Sequence, residues 1–167
     1  MGAALALTLA LFSYGLAGAP GLALGLGATL QDRLVVAAAA GIGPLTTLAA
    51  VIGVVANRRF FSADDIDGAG LTTESAAVRI PRAILANTLE QAVLALGVYG
   101  GLALVLPAGQ LALPLLLGSA FLGGRTLFAF GYAHGAAARS MGFALTFYPT
   151  VGGLVTLVLR LIAIGRA

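Results

Sequence analysis

The chain contains no cysteine and no lysine, and only 9% of its 167 residues are charged. Each scarcity excludes something. Without cysteine there is no disulfide framework and no thiolate metal site, so thiol chemistry needs a thiol brought in from outside. Without charge there is no adequate water-facing surface, since a soluble domain carries about 25% charged residues. The positive charge rests on nine arginines, and the net charge of +3 sits on a few loops and helix ends. That distribution reads as a membrane-topology signal and not as a nucleic-acid surface. The sequence also lacks a Walker loop, a dinucleotide fingerprint and a metal-ligand cluster, so no metal is expected.

What is present is hydrophobic: 60% of residues, with a mean hydropathy of +1.04. The expectation is an all-α integral membrane bundle, one membrane domain over residues 1–167, in contact with the lipid bilayer. Five apolar segments stand out, at about Ala3–Leu30, Val35–Ala56, Pro81–Leu106, Leu111–Ala138 and Ser140–Gly165. A membrane span needs roughly 20 apolar residues, and backbone groups in lipid must be satisfied internally, so all five read as helices. "QDRL" (Gln31 to Leu34) breaks the first from the second, and Pro81 suits the first turn of the third. "AGA" (Ala17 to Ala19) resembles a signal-peptidase site, but no basic region precedes it, so the first segment is expected to be a retained helix. Gly21, Gly25 and Gly27 would give it a small-residue packing face.

Arginines set the expected orientation. Arg58, Arg59, Arg79 and Arg82 flank the loop between the second and third segments, and Arg139 lies at the turn between the fourth and fifth. The positive-inside rule makes that side cytoplasmic, while Arg33, Arg160 and Arg166 dissent on the other.

The third segment carries Arg82, Asn87 and Glu90. Asn87 and Glu90, three apart, share a helix face. Glu90 would lie roughly 14 Å along the helix from Pro81. A carboxylate at that depth needs a partner or a wet cavity. In the fourth segment Arg125, Tyr132 and Arg139 recur at steps of seven, nearly two turns, and so fall on one stripe. These groups predict a polar site inside the bundle, with Glu90 pairing to Arg125 within or between subunits. Interhelical glue without chemistry is the competing interpretation. His134 reads as a helix-end polar contact. Asp65, Asp67, Gly68 and Glu74 have calcium-loop spacing, but Ala63 stands at the first ligand position, so capping and solvated turns are the expectation. Ser13, Ser119 and Ser140 have no triad context.

Two motifs, "RxxRA…NxxEQ" from Arg79 and "RxxxxxGY…R" from Arg125, resemble the MAPEG family, membrane-associated proteins in eicosanoid and glutathione metabolism. The resemblance covers about Val35 to Gly165 and makes the first segment an extra N-terminal helix. It implies a four-helix core, a homotrimer with the third helices at its centre, and glutathione as co-substrate, bound between protomers near the cytoplasmic side. By motif match, Asn87, Glu90 and Tyr132 fall on glutathione-contacting positions, and Arg82 and Arg125 join them as candidates. Arg139 falls on the arginine credited with activating the thiol. The sequence departs from the family pattern at Ala83, where several members have arginine, and at Gln91 and Phe128, where some have tyrosine.

The resulting expectation is a glutathione-dependent transferase or peroxidase acting on a lipophilic electrophile or hydroperoxide, in a bacterial inner (plasma) membrane. An anionic tripeptide suits arginine's bidentate fork, and a nearby arginine lowers a thiol's pKa. The alternative is a non-catalytic membrane scaffold or small-ligand binding protein of the same fold.

Overall fold

The computed structural model describes residues 2–19, 29–67 and 73–166. Its helices are α1 (Gly2–Leu16), α2 (Leu30–Phe60), α3 (Ala76–Val105), α4 (Ala112–Tyr132) and α5 (Ala136–Ile164), with a single 3-10 turn at Ala108–Gln110. No strand occurs among the described residues. Among the described residues four stretches are long and apolar enough to cross a membrane: α2, α3, α5, and α4 together with the preceding 3-10 turn. The protein is an all-α integral membrane bundle.

α1 is shorter than expected. Its 15 residues reach roughly 22 Å, less than the ~30 Å hydrocarbon core. The helix stops because Gly18 and Ala19 take positive φ, 85° and 46°. Gln110 then binds the helix end, donating Nε2 to the Leu16 carbonyl over 3.0 Å. Gly21, Gly25 and Gly27, expected to form its packing face, lie outside the described residues.

α2 begins earlier than expected, and "QDRL" forms its first turn instead of a break. Thr29 is the N-cap: its hydroxyl accepts from the Asp32 amide at 3.2 Å and donates to the Asp32 carboxylate at 2.6 Å. That reciprocal bond satisfies an otherwise unpaired first-turn donor, and the acidic side chain complements the helix dipole. Inside α2, Pro44 cannot donate to the Ala40 carbonyl. At this point α2 meets α4 backbone to backbone. A Cβ on Gly43 would collide with the Gly118 carbonyl, and one on Gly118 with the Ala40 carbonyl. Only glycine permits that crossing.

α3 also starts a turn earlier than Pro81, at Ala76 behind the N-cap Ser75. Pro81 therefore sits within the helix and leaves the Ala77 carbonyl without its usual donor. Arg58 Nη1 supplies one at 2.9 Å. The loop before α3 is built on Asp65, 2% exposed, whose carboxylate accepts from the Ser62 hydroxyl, the Ser75 amide and the Ser75 hydroxyl at 2.6, 2.8 and 2.7 Å. Those bonds, Ser62 foremost, hold the Asp65 carboxyl below the ordinary carboxylate range. Asp65 thus ties the loop to the start of α3, Gly68 lies outside the described residues, and no metal-holding group of side chains occurs among the described ones.

At the opposite end, Arg33 Nη1 caps α3, donating to the carbonyls of Ala103, Leu104 and Leu106 at 3.0, 2.9 and 2.8 Å. Arg160 donates to Gln110 Oε1 at 2.9 Å. Arg33 and Arg160 dissent from the arginine asymmetry because they satisfy this end of the bundle. The core of large buried side chains, Tyr99, Leu102, Leu106, Leu111, Leu113, Leu117 and Phe121, fills the same half. The other half, toward the α2–α3 loop, holds the polar side chains.

Candidate functional site

Arg125 is the anchor. It is 3% exposed within a spanning helix, so its guanidinium must be satisfied by protein. Nη1 donates to Asn87 Oδ1 at 3.0 Å and Nη2 to Thr88 Oγ1 at 2.8 Å, tying α4 to α3. The guanidinium also lies over the Phe128 ring, 4.0 Å from its centroid, while Nε is buried without a partner. The expected Glu90–Arg125 pair therefore does not form within the chain, which corrects that half of the expectation. Glu90 is exposed and makes no hydrogen bond or ion pair among the described residues. The reason is angular: Glu90 follows Thr88 by two residues, roughly 200° round the helix.

From Arg125 the contacts run outward through aromatic rings. Phe128 meets Tyr132 edge-on at 5.4 Å, and the Arg139 guanidinium lies over Tyr132, 4.6 Å from its centroid. Arg139 is not on the same helix as Arg125 and Tyr132, as the seven-residue spacing suggested. α4 ends at Tyr132, and Gly135 turns the chain with φ 96° before α5 begins. His134 lies in that turn with Nδ1 3.0 Å from the Phe130 carbonyl, the helix-end contact expected of it. Arg139 stands in the first turns of α5, whose initial N–H groups lack intrahelical partners. α4 and α5 can lie this close because Gly142 packs directly on the Phe128 backbone.

Between the two helices and α3 lies a cavity of about 340 Å³, lined by Asn87, Phe128, Tyr132, Ala136, Arg139, Ser140 and Phe143. It brings together three expected site residues: Asn87, Tyr132 and Arg139. Arg125 backs it through Asn87. Glu90 and Arg82 stand outside its wall. Arg82 instead pairs with Glu74, which Arg59 also holds at 2.8 Å. The two arginines, Arg82 first, keep the Glu74 carboxyl below its ordinary range. Thr88 and Phe143 were not singled out from the sequence. Thr88 is legible in retrospect, because a planar fork spans two adjacent acceptors.

A fixed cation over a phenol ring, an amide held by a buried guanidinium, and unpaired helix N–H groups can together take an anionic, polar ligand. The surroundings are those of a multi-span helical membrane protein with a polar cavity at one end of its bundle. The chain belongs to the MAPEG family, whose model matches residues 36–159. The match covers the four long helices and leaves α1 outside it. No curated protein and no solved structure is detectably similar to the chain.

Proposed function

We propose that the protein is a glutathione-dependent transferase or peroxidase of the membrane, acting on a lipophilic electrophile or hydroperoxide. The observation that carries this reading is the cavity joining Asn87, Tyr132 and Arg139 near the α4–α5 turn, in a chain of this family. Glutathione would enter from water with its peptide groups toward Asn87 and Tyr132 and its thiol toward Arg139. Its thiol would lose a proton to solvent, and the thiolate would be held by the Arg139 charge and by the first-turn N–H groups of α5. With an electrophile, the sulfur forms the new bond and the leaving group or opened ring takes the electron pair. With a hydroperoxide, the thiolate attacks the outer peroxide oxygen, the O–O bond breaks and the alkoxide leaves and is protonated to the alcohol, and a second glutathione displaces water from the resulting sulfenic acid to form the disulfide.

The working unit in this reading is a homotrimer. Glu90 supports it: a carboxylate exposed on a spanning helix, with Ala86, Val93 and Gly97 on the same exposed stripe, needs cover from another subunit. Arg82 and Glu90, outside the cavity of one chain, would then be completed by a neighbour. The arginine-rich end would face the cytoplasm, and the membrane would be a bacterial inner (plasma) membrane.

The test is turnover of glutathione with an aryl halide and with an organic hydroperoxide by the purified protein. Turnover of either above the uncatalysed rate supports the reading; none with either, at saturating glutathione, contradicts it. One observation favours the non-catalytic scaffold as second reading: Arg125 directs both Nη atoms to Asn87 and Thr88, the behaviour of helix-to-helix glue.

A further inference from the structure

A second concavity lies on another side of Arg125. Near the arginine-rich end a hollow of about 320 Å³ runs between α2, α3 and α4, bounded by Arg58, Ala77, Ile80 and Ile84 among others. Deeper, a hollow of about 240 Å³ is bounded by Thr47, Ala50, Arg125 and Phe130 among others. Val51, Val54 and Ala129 line both, so the two form one groove. On α2 it extends from Arg58 to Thr47, eleven residues or roughly 16 Å, about half the ~30 Å hydrocarbon core and so the depth of one leaflet.

The groove is apolar even where its residues are polar. The Thr47 hydroxyl donates to the Gly43 and Pro44 carbonyls at 3.1 and 2.9 Å, and the Thr126 hydroxyl to Leu122 at 2.8 Å. The Arg125 Nη atoms are committed to Asn87 and Thr88. At the mouth the chemistry reverses. Arg58 donates Nη1 to the Ala77 carbonyl left open by Pro81, and this bond fixes the guanidinium beside the groove. Its Nε and Nη2, the edge that takes two parallel oxygens, make no hydrogen bond among the described residues. The nearby carboxylates Glu74 and Asp65 are engaged elsewhere, by Arg59 and Arg82 and by Ser62 and Ser75. The apolar rings of Phe60 and Phe61, 70% and 78% exposed, flank this end of α2.

We propose that this groove binds one anionic phospholipid from the leaflet on the arginine-rich side, with the phosphate on the Nε–Nη2 edge of Arg58 and an acyl chain along Val54, Val51 and Ala129. A one-leaflet depth, a dry wall and a single oriented cation at the mouth together match that ligand. A spanning helix would need a longer groove, and the subunit contact of the proposed trimer falls on the Glu90 stripe of α3, which does not line this groove. The site is separate from the cavity at Arg139, so it stands or falls independently of the thiol chemistry.

The test is native mass spectrometry of the purified full-length protein titrated with phosphatidylglycerol or phosphatidylcholine. The wild type should retain one phosphatidylglycerol per chain, with phosphatidylcholine, whose phosphate charge is offset by its own quaternary ammonium, held about tenfold more weakly. Arg58→Gln keeps a donor for the Ala77 carbonyl and removes the charge, so it should bring the two lipids to equal retention. Ala129→Phe should lose both by filling the groove. Val54→Trp, at a position 45% exposed, does the same from the lipid side should the former fail to fold. Equal retention of both lipids by the wild type would overturn the proposal. So would undiminished phosphatidylglycerol preference in Arg58→Gln, unchanged retention in the filled variants, or a wild type that retains no lipid because another copy covers the groove.

Discussion

Arg125 on α4 donates to Asn87 on α3 over 3.0 Å, and this bond joins the buried heart of the bundle to the wall of the cavity. Removing the guanidinium strands the Asn87 amide and the Thr88 hydroxyl. Arg125→Ala should therefore cost about 2–4 kcal/mol, the range for losing hydrogen bonds to a buried charge. Arg125→Lys should recover little, because a point charge cannot span two acceptors. Denaturation in detergent, followed by circular dichroism, measures both. Wild-type stability in Arg125→Ala would show that the guanidinium does not hold α3 to α4.

The α2–α4 crossing makes a second prediction. A methyl on Gly43 runs into the Gly118 carbonyl, and backbone cannot step aside as a flexible side chain can. Gly43→Ala should destabilise by about 1–3 kcal/mol, the usual cost of overpacking. Gly53→Ala is the control, since a Cβ there meets nothing within 4 Å. Equal stability of the two variants would contradict the close crossing.

The α2–α3 loop should respond to acid. Asp65 and Glu74 both have folded-state pKa values lowered by their partners. Their stabilisation is complete above the ordinary carboxylate values of 3.8 and 4.5 and is lost as pH falls through the depressed folded values. The Ser75 amide, bonded to Asp65, reports this directly. Its hydrogen-exchange protection, corrected for intrinsic rate, should fall only in the acid range. In Asp65→Asn it should be weaker at neutral pH and nearly pH-independent. Protection unchanged down to pH 2 would exclude a carboxylate-held loop.

Glu90 governs assembly in the proposed reading. Glu90→Ala removes the exposed carboxylate from the outward stripe of α3, so the distribution of oligomers in mild detergent should shift, while α3–α4 stability stays as in the wild type. Light scattering and crosslinking read this out. An unaltered oligomer would place the subunit contact elsewhere.

How far the sequence could be read depended on which physical signal each feature leaves. Four core spans were visible because hydropathy over 20 residues needs no tertiary knowledge. Asn87, Tyr132 and Arg139 were visible because polar groups in an apolar run carry a cost. The extent of α1 was hidden: apolar composition continues beyond Leu16, and what ends the helix is backbone conformation at Gly18 and Ala19. The start of α3 was hidden because Pro81 suits a first turn, whereas the cap is built from Ser75 and a distant Asp65. Within the chain, charge matching pointed Arg125 to Glu90, whereas two neutral acceptors on the facing side of α3 hold both Nη atoms. The seven-residue spacing of Tyr132 and Arg139 gave the right neighbours for the wrong reason, since Gly135 divides them between two helices.

The central claim is that Arg139 holds a thiolate, and the ionisation of bound glutathione tests it most directly. Thiolate absorbs in the ultraviolet where thiol does not, so a pH titration of the complex gives the sulfur's pKa. Difference titration with the S-methyl analogue subtracts protein absorbance, and calorimetry gives affinity. In the wild type, ionisation should fall below the ordinary thiol value of about 8.5. In Arg139→Ala, glutathione should still bind, because Asn87 and Tyr132 remain, while the titration returns toward that value and turnover drops by about 10²–10³, the loss typical of removing one preorganised stabiliser. Arg139→Lys should fall between the two. An Arg139→Ala complex whose sulfur ionises as in the wild type, at undiminished turnover, would contradict the account.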